Sequence, residues 1–433
     1  MPACPAVRYF TFWLETKLTE SVWGLSILPM QASDFTELSP GHLTPTIDGA
    51  MAFCPAPVPR SLDLGNSTIR HLSRANHALG ELNGVARFLK NPYVLGSSLL
   101  RREAILSSRI EGTVTSSEQL ALFEAGAPIE RGRERDDAFE VLNYVRAMER
   151  GLSRLPTLPV SQRLIRELHG VLMEGVRGQN DKPGEFRDSQ NWIGKPGSKI
   201  HEARFVPPPV IEMLAALDDL EKYIHVEAHA EGKGFHPADE DPGLSPLLVR
   251  LALIHYQFET IHPFRDGNGR LGRLLMPLLL VSHGRLRAPL FYLSSYFERQ
   301  RDRYYDLLLE VSRHGNWIDW VDFFLLGVEE SARDAVTRAD ALLALRDKWR
   351  AEFEKARSSA LLHKLIDRLF EAPAIRIRDA VSLLGVTPAS ASANIKKLEA
   401  AGIVVERTGR KRDQIFVAMD ILELIDKGVL ASP

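Results

Sequence analysis

The sequence predicts a mainly α-helical protein with a small β-hairpin inside its helical core and a C-terminal module of helices and a second hairpin. Most of the chain repeats apolar residues at helical spacing. The pattern breaks twice into short β-like segments, within 184–209 and within 403–417. We therefore expect four regions, which are residues 1–54, 55–175, 176–345 and 346–433.

The composition is that of an ordinary globular protein with two or three domains. The 433 residues are 45% hydrophobic and 25% charged, and 54 basic residues nearly balance 56 acidic residues. This balance gives no general bias towards nucleic acid or membranes. The longest apolar stretch, Leu274 to Ser282, contains Pro277 and is too short to cross a membrane. Two cysteines, Cys4 and Cys54, form no disulfide or metal framework, so we expect a cytoplasmic protein.

The first region, residues 1–54, is an N-terminal extension to which no function is assigned. Its first forty residues are expected to be a loose extension or to lie upstream of the true start. In the second region, apolar residues predict helices over 72–88 and 97–110. The later helix leads into Glu111, at the negative end of its dipole, where a glutamate is unfavourable unless a cation compensates it. Glu111 therefore requires an arginine partner, unless it is solvated or pairs locally with Arg109.

Two amphipathic helices follow, at 136–150 and 161–173, and His169 in the second is interpreted as a packing residue. A turn-rich break then opens the predicted hairpin at 184–209, with Ile200 to Val206 as its β-like return. The unpaired edges of such a hairpin could accept an extended peptide as an added strand. A plain surface loop is the alternative interpretation.

The densest chemistry lies between two apolar helices, at residues 262–273, HPFRDGNGRLGR. The upstream helix begins at Leu247, and leucines at helical spacing place the start of the downstream helix near Arg270. Residues 267–269, Gly-Asn-Gly, then precede a helix N-terminus, where N–H groups and the positive dipole end favour an anion. Asn268 tolerates a left-handed backbone and offers an amide donor.

Charged and titratable side chains flank this loop. Arg270 and Arg273 are three residues apart and share a helix face, so both can point at a polyphosphate. Asp266 is too little for a calcium cage but suits Mg²⁺, which takes one or two carboxylates plus substrate phosphates. His262 can accept a hydroxyl proton near neutral pH. Together these residues predict a nucleotide-phosphate site beside a general base.

The segment HPFRDGNGRLGR resembles the signature of the Fic family, His-x-Phe-x-Asp/Glu-Gly-Asn-Gly-Arg-x-x-Arg, and matches every specified position. Enzymes of that family usually transfer AMP from ATP to a Ser, Thr or Tyr hydroxyl of a protein. The resemblance implies a Fic-type helical core, with ATP and Mg²⁺ as cofactors. It implies His262 as general base, Phe264 as core anchor, Asp266 as magnesium ligand, Gly267, Asn268 and Gly269 as phosphate cradle, and Arg270 and Arg273 as triphosphate clamps. A related branch that transfers phosphate carries Lys at the position of Gly269, so this glycine favours AMP transfer.

Two further segments are similar to parts of that family. Ser107 to Gly112 matches a Ser-x-x-x-Glu-Gly pattern, which implies that residues 97–112 form an inhibitory helix whose Glu111 pairs with Arg273. In the family this pair blocks the ATP γ-phosphate, so we expect a weakly active resting enzyme. The hairpin at 184–209 resembles the flap that holds the target segment, which implies target docking at Trp192, Ile193 and Gly194.

The last region, residues 346–433, looks like a winged helix-turn-helix, with helices at 361–370, 377–384 and 389–400 before a hairpin. Between Lys396 and Arg412, six basic residues outnumber two acidic ones, an excess of four that could bind DNA phosphates. The third helix offers few long base-reading side chains. DNA binding therefore stays open against a protein-docking or homodimer-packing role.

The main expectation is an adenylyltransferase that modifies a protein hydroxyl, its own included, and is held weakly active by Glu111. One alternative is the reverse chemistry, in which Glu111 positions a water that removes AMP from a modified protein. The other alternative is a DNA-binding regulator whose Fic-type core senses a nucleotide.

Overall fold

The computed structural model describes residues 29–88, 92–128, 132–176, 182–195, 197–226, 243–354 and 359–426. Fifteen α-helices occur in these ranges, which confirms the mainly α fold. The five strands found there form one two-stranded sheet and one three-stranded sheet.

The helices, in chain order, are α1 (Asn66–Phe88), α2 (Pro92–Ile110), α3 (Ser117–Glu124), α4 (Arg133–Arg154), α5 (Gln162–Leu172), α6 (Val210–Ile224), α7 (Leu247–Ile261), α8 (Asn268–Ser282), α9 (Ser294–Arg299), α10 (Arg301–His314), α11 (Trp317–Glu352), α12 (Ser359–Glu371), α13 (Ile377–Leu384), α14 (Pro388–Ala400) and α15 (Met419–Asp426). The strands are β1 (Gly41–Pro45), β2 (Met51–Pro55), β3 (Ala374–Arg376), β4 (Val405–Glu406) and β5 (Ile415–Val417). Short 3₁₀ helices lie at Ala32–Asp34 and Ile200–Glu202.

Residues 41–55, most of which the sequence analysis left unassigned, form the hairpin of β1 and β2, and this hairpin packs on the segment 203–206. Phe53 is fully buried, and its ring packs 5.3 Å from Phe35 and 6.0 Å from Phe205. Its N–H donates to the carbonyl of Val206 over 2.9 Å. Burial of this aromatic side chain anchors the hairpin. Residues 1–28 lie outside the described ranges.

One hydrophobic core joins the helices from α1 to the first half of α11. Helices α4 and α5, before residue 175, pack in the same core as α7 and α8, after it. The expected boundary between 175 and 176 therefore does not separate two cores. Every residue of α7 except Glu259 is buried, as expected for a helix in the centre of a helical protein.

Helix α11 links this core to the C-terminal unit as one continuous helix of 36 residues. Ala335 packs in the first core, whereas Leu342 and Trp349 pack in the second. Arg338, buried between them, donates to the carbonyls of Leu424 and Ile425 in α15. The expected boundary at 345/346 therefore falls inside a helix.

The C-terminal unit contains helices α12 to α15 and an antiparallel sheet in the order β3, β5, β4. The hairpin of β4 and β5 and all three expected helices are present. The sequence analysis missed β3, whose three residues are too few for alternation to be visible. The sheet packs on α3 in a small apolar cluster, and Arg407 pairs with Glu118 over 2.5 Å.

The expected hairpin at 184–209 is reduced to a single bridge between Ile193 and Phe205. Residues 200–202 form a 3₁₀ turn instead of a strand, closed by the Lys199 N–H on the carboxylate of Glu202 at 2.8 Å. Residues 207–209 are all proline and cannot donate to a ladder, so the pairing ends there.

The described residues contain no helix that is both long enough and apolar enough to cross a membrane.

Candidate active site

The motif loop joins α7 to α8 through two left-handed residues. His262 ends α7 with φ of 49° and ψ of 60°, and its N–H still donates to Phe258 over 3.1 Å. Gly267 precedes α8 with φ of 79°, a conformation that glycine adopts without strain. Phe264 is fully buried between these turns and stacks on His169 at 3.7 Å, which agrees with the anchor role expected for it.

The side-chain amide of Asn268 stabilises the loop through hydrogen bonds and does not offer its N–H groups to an anion. Its Oδ1 accepts the N–H of Phe264 over 2.9 Å, and its Nδ2 donates to the Phe264 carbonyl over 2.9 Å. The side chain is buried, and Asn268 is already the first residue of α8, two residues before the expected start. The expected amide donor is therefore used within the protein.

Replacing Asn268 with alanine should lower the free energy of unfolding by about 1–3 kcal/mol, because the buried Phe264 N–H loses its acceptor. Asn76 is the matched control, since its exposed amide bonds only the carbonyl of Leu72 on its own helix. Alanine at Asn76 should change stability by less than about 0.5 kcal/mol. Denaturant titration of both variants measures the difference, and equal stabilities would contradict this role for Asn268.

His169 is a packing residue, as expected, and it contacts the loop at Phe264 and Asp266. Its Nδ1 accepts the N–H of Gly184 over 2.9 Å, so Nε2 carries the proton that it donates to the Asp266 carbonyl over 3.0 Å. Arg187, which the sequence analysis passed over, is buried and donates through Nε to the His262 carbonyl at 3.0 Å. These contacts fix the backbone on both sides of the motif.

The His262 imidazole is neutral and oriented. Burial lowers its pKa to about 4, although the Glu259 carbonyl accepts a hydrogen bond from Nδ1 at 3.2 Å. Because Nδ1 carries the proton in that bond, Nε2 presents its lone pair. The ring lines a cavity of about 290 Å³, so a hydroxyl group can reach it there.

The two motif arginines are buried and already have protein partners. Arg270 lies 3.4 Å from Glu140 and 3.7 Å from Asp266. Arg273 donates through Nε to the hydroxyl of Ser107 and through Nη2 to its carbonyl, both at 2.9 Å. These contacts occupy part of each guanidinium group. The Arg270 Nε and Arg273 Nη1 atoms still lack hydrogen-bond partners among the described residues.

Glu111 forms an ion pair with Arg273, with 2.6 Å between Oε1 and Nη2. Helix α2 ends at Ile110, and Gly112 turns the chain away with φ of 91°. Arg109, the local partner considered for Glu111, instead lies 3.9 Å from Glu298. The carboxylate of Glu111 thus reaches the N-terminus of α8.

Gly269 leaves the space that the Glu111 carboxylate occupies. A Cβ at this position would lie 2.3 Å from Oε1 of Glu111. A side chain at position 269 would therefore displace the carboxylate of Glu111 from its observed place. The carboxylate lies where the first N–H groups of α8 would otherwise meet an anion.

Glu259 is a carboxyl group in the cavity that the sequence analysis missed. Loss of water around its carboxyl group raises its pKa to about 8, against the opposing charge of Arg273. Its Oε1 is buried without a hydrogen-bond partner among the described residues. The group is therefore mostly protonated at neutral pH and adds little negative charge beside a phosphate. Its presence as the one acidic residue of a mainly apolar helix was the signal that could have identified it.

Asp266 offers a suitable but incomplete metal site. Its side chain is 56% exposed, and its Oδ1 accepts the N–H of Gly267 over 2.6 Å. The described residues contain no cluster of three or more His, Cys, Asp or Glu that could hold a metal ion by itself. One accessible carboxylate beside a phosphate site fits Mg²⁺, whose remaining ligands are phosphate oxygens and water.

The segment from Trp192 to Gly194 forms one wall of the cavity. Ile193 uses both its N–H and its carbonyl in bonds to the 204–205 backbone, between 2.8 and 3.2 Å. In an extended strand the neighbouring residues direct their backbone groups to the opposite side. Those of Trp192 and Gly194 have no hydrogen-bond partner among the described residues, so this edge is open.

The segments that form this site are similar to known proteins. Residues 69–153 match the family described as Fic/DOC family N-terminal, and residues 159–280 match the Fic/DOC family. A protein named "Protein adenylyltransferase Fic" from Drosophila willistoni is 28% identical over 267 residues, which are 61% of this chain and 44% of that protein. Its namesake from Drosophila grimshawi is 30% identical over 179 residues, 40% of this chain and 32% of that protein.

The matched segments thus span less than half the length of these curated relatives. Among solved structures, a Fic family protein from Desulfovibrio desulfuricans G20 superposes with a TM-score of 0.51 at 18% identity. The superposition covers 83% of this chain and 98% of that one. At this identity, the likeness supports a shared fold.

Proposed function

Residues 69–153 and 159–280 belong to the Fic/DOC family, and on this premise we propose that the chain is an adenylyltransferase that transfers AMP from ATP to a protein hydroxyl. The observation that carries the proposal is the neutral His262, which lines the same cavity as Gly269 at the N-terminus of α8. A base and an anion site in one cavity suit nucleophilic attack on a phosphate. The names of the curated relatives agree with this chemistry.

In the proposed reaction, the target hydroxyl oxygen attacks the α-phosphorus of ATP while Nε2 of His262 takes the hydroxyl proton. The bond between the α-phosphorus and the oxygen that bridges it to the β-phosphate breaks, and pyrophosphate leaves with the electron pair of that bond. Asp266 would hold Mg²⁺, which supplies positive charge to phosphate oxygens when it is bound. The N–H groups at the start of α8 and the side chains of Arg270 and Arg273 would position the phosphates.

Product analysis tests this reaction. The protein is incubated with ATP, Mg²⁺ and a cell lysate as the source of target. AMP transfer predicts pyrophosphate in an amount equal to protein-bound AMP. Formation of ADP with protein-bound phosphate would instead support phosphotransfer. Release of AMP from a previously modified target would support the reverse chemistry.

We propose that Glu111 inhibits this reaction in the resting protein. Its carboxylate occupies the space above Gly269 and holds Nη2 of Arg273. A bound triphosphate would place negative charge beside the same arginine, so the two anions compete. Ser107 supports the pair by accepting a bond from Nε of Arg273.

The pH dependence of the reaction follows from the pKa of His262. Protonation removes the lone pair of the base, so the rate should fall only as the pH approaches about 4 and should stay level through the ordinary imidazole range. From the sequence alone, this fall would be expected near the ordinary pKa of histidine. Initial rates of AMP transfer across acidic pH, measured on folded protein, test the prediction. A rate that already halves at the ordinary histidine pKa would contradict it.

We propose that the target docks along the open edge from Trp192 to Gly194 as an added strand. Trp192 and Gly194 line the cavity, their backbone groups have no hydrogen-bond partner among the described residues, and Trp192 is 41% exposed. Replacing Gly194 with proline removes one N–H and should raise the KM for target while ATP binding persists. Gly194→Ala, which adds a Cβ but keeps the N–H, is the control. An unchanged KM for target would place docking elsewhere.

We propose that the C-terminal unit is a winged helix-turn-helix. Helices α13 and α14 with the β4–β5 hairpin have the required order, and Lys396 and residues 410–412 are exposed. Salt-dependent binding to duplex DNA, lost when residues 410–412 are replaced with glutamine, would favour a nucleic-acid role. The absence of DNA binding would favour protein docking or dimer packing.

We also propose a cytoplasmic location, because the buried Cys54 is unbridged, as expected in a reducing compartment.

A further inference from the structure

A second cavity lies away from the motif loop, between α1, α2, α9 and α11. Its volume is about 520 Å³, and it shares no lining residue with the cavity around His262. Each of the four helices contributes at least one arginine to its wall, which are Arg74, Arg102, Arg299, Arg333 and Arg338. A volume of this size is typical of small-molecule sites.

The wall of this cavity carries more positive than negative charge. Five arginines face three carboxylates, which leaves an excess of two positive charges. Glu329 accepts Arg74 and Arg333, each at 2.9 Å from Oε1. Asp334 likewise accepts two arginines at 3.2 and 2.8 Å, and Glu330 pairs with the fifth.

Two buried polar groups in the wall have unsatisfied atoms. Nη2 of Arg338 has no hydrogen-bond partner among the described residues, although the side chain is only 1% exposed. The hydroxyl of Ser331, a residue that is 7% exposed, also lacks a partner there. Buried polar groups without partners are rare in proteins, and a ligand is one ordinary explanation.

We propose that this cavity binds a small molecule that carries a phosphate dianion. The two excess positive charges match a phosphomonoester, and guanidinium groups bind phosphate oxygens in a bidentate manner. Ser295, Tyr296 and Thr337 add hydroxyl groups around the charged centre. A phosphate group alone would leave much of the 520 Å³ empty, so the ligand has an organic part.

The position of the cavity connects this ligand to two parts of the protein. Arg102 lies on α2, nine residues and roughly 13 Å of helix before Glu111. Arg338 anchors the carbonyls of Leu424 and Ile425 in the C-terminal unit. The bound phosphate would therefore contact both α2, which leads into Glu111, and α11, which holds the C-terminal unit.

Calorimetric titration of the full chain with inorganic phosphate and with ribose 5-phosphate, at constant ionic strength, tests the proposal. Both probes should bind the wild type, and ribose 5-phosphate at least as tightly as phosphate. The variant with Arg299→Gln and Arg333→Gln should bind both probes about tenfold or more weakly. These two side chains are 40% and 55% exposed, so their replacement should leave the fold intact.

The matched control is the variant with Arg150→Gln and Arg154→Gln, because these arginines also share one carboxylate, that of Glu167, and do not line the cavity. This variant should bind both probes as the wild type does. The proposal is overturned if neither probe binds at up to about 10 mM. It is equally overturned if only inorganic phosphate binds, if the two double variants lose the same affinity, or if neither variant loses any.

Discussion

Replacing Glu111 with glycine raises the rate of AMP transfer by about tenfold to a hundredfold, if the ion pair with Arg273 inhibits the resting protein. The change removes the carboxylate that lies above Gly269 and releases Nη2 of Arg273 for a phosphate. Transfer of label from ATP labelled at the α-phosphate measures the rate. The ATP KM should fall as well, because the two anions no longer compete for the same guanidinium.

The control for this change is Glu298→Gly. Glu298 lies on α9, and its carboxylate is 3.9 Å from Arg109 near the end of α2. Its ion pair is with Arg109 and does not involve Arg273. This variant should transfer AMP at the wild-type rate. If both glycine variants transferred AMP equally fast, the increase would reflect a general loosening of α2. An unchanged rate in Glu111→Gly would remove the inhibitory role altogether.

Replacing His262 with alanine in the Glu111→Gly background should lower the rate of AMP transfer by about a hundredfold to ten-thousandfold, the usual contribution of a general base. The activated background makes such a loss measurable. The backbone contacts of residue 262 to Phe258 and Arg187 remain, so the loop should keep its shape. ATP binding should persist, which separates loss of the base from loss of the nucleotide site.

His283→Ala is the matched histidine control, because His283 lies past the far end of α8, where its Nδ1 contacts the Leu279 carbonyl. This variant should retain full transfer activity. Thermal unfolding of both histidine variants shows whether a lost rate reflects chemistry or a lost fold. A His262→Ala variant that folds, binds ATP and still transfers AMP at the original rate would exclude His262 as the base.

The helices around the site could be predicted from sequence because their apolar residues recur at the spacing of a helix face. The N-terminal hairpin was missed, although Asp48-Gly49 is a turn signal between two strand-like segments. Its hydrophobic partners, such as Phe205, lie about 150 residues away, and local periodicity carries no information about them. The same limit explains why the hairpin expected at 184–209 is shorter than predicted. The β-like residues at 200–206 do not show how far pairing extends, whereas the three prolines at 207–209 do indicate where it must end.

The candidate site was predicted where one short segment holds all its groups. His262 and Asp266 are such cases, because the loop itself determines their positions. Asn268 was misjudged, since only the fold shows that the buried N–H of Phe264 requires its side chain. The pair of Glu111 and Arg273 joins residues 162 positions apart, and only a resemblance to known sequences suggested it.

The cavity that is rich in arginine could not be predicted from any local pattern in the sequence. Its arginines come from four helices and from positions between 74 and 338, each of which looks like an ordinary surface residue in sequence. Packing of α1 and α2 against α11 brings them together. Their excess of charge becomes visible only when the shared carboxylates of Glu329 and Asp334 are counted.

The most direct test of the proposed function uses ATP labelled at either the α-phosphate or the γ-phosphate, with Mg²⁺ and a lysate as target. The Glu111→Gly protein is compared with its His262→Ala derivative. The account predicts protein-bound label from the α position alone, and its loss in the derivative. Protein-bound label from the γ position, or equal α-label with and without His262, would contradict it.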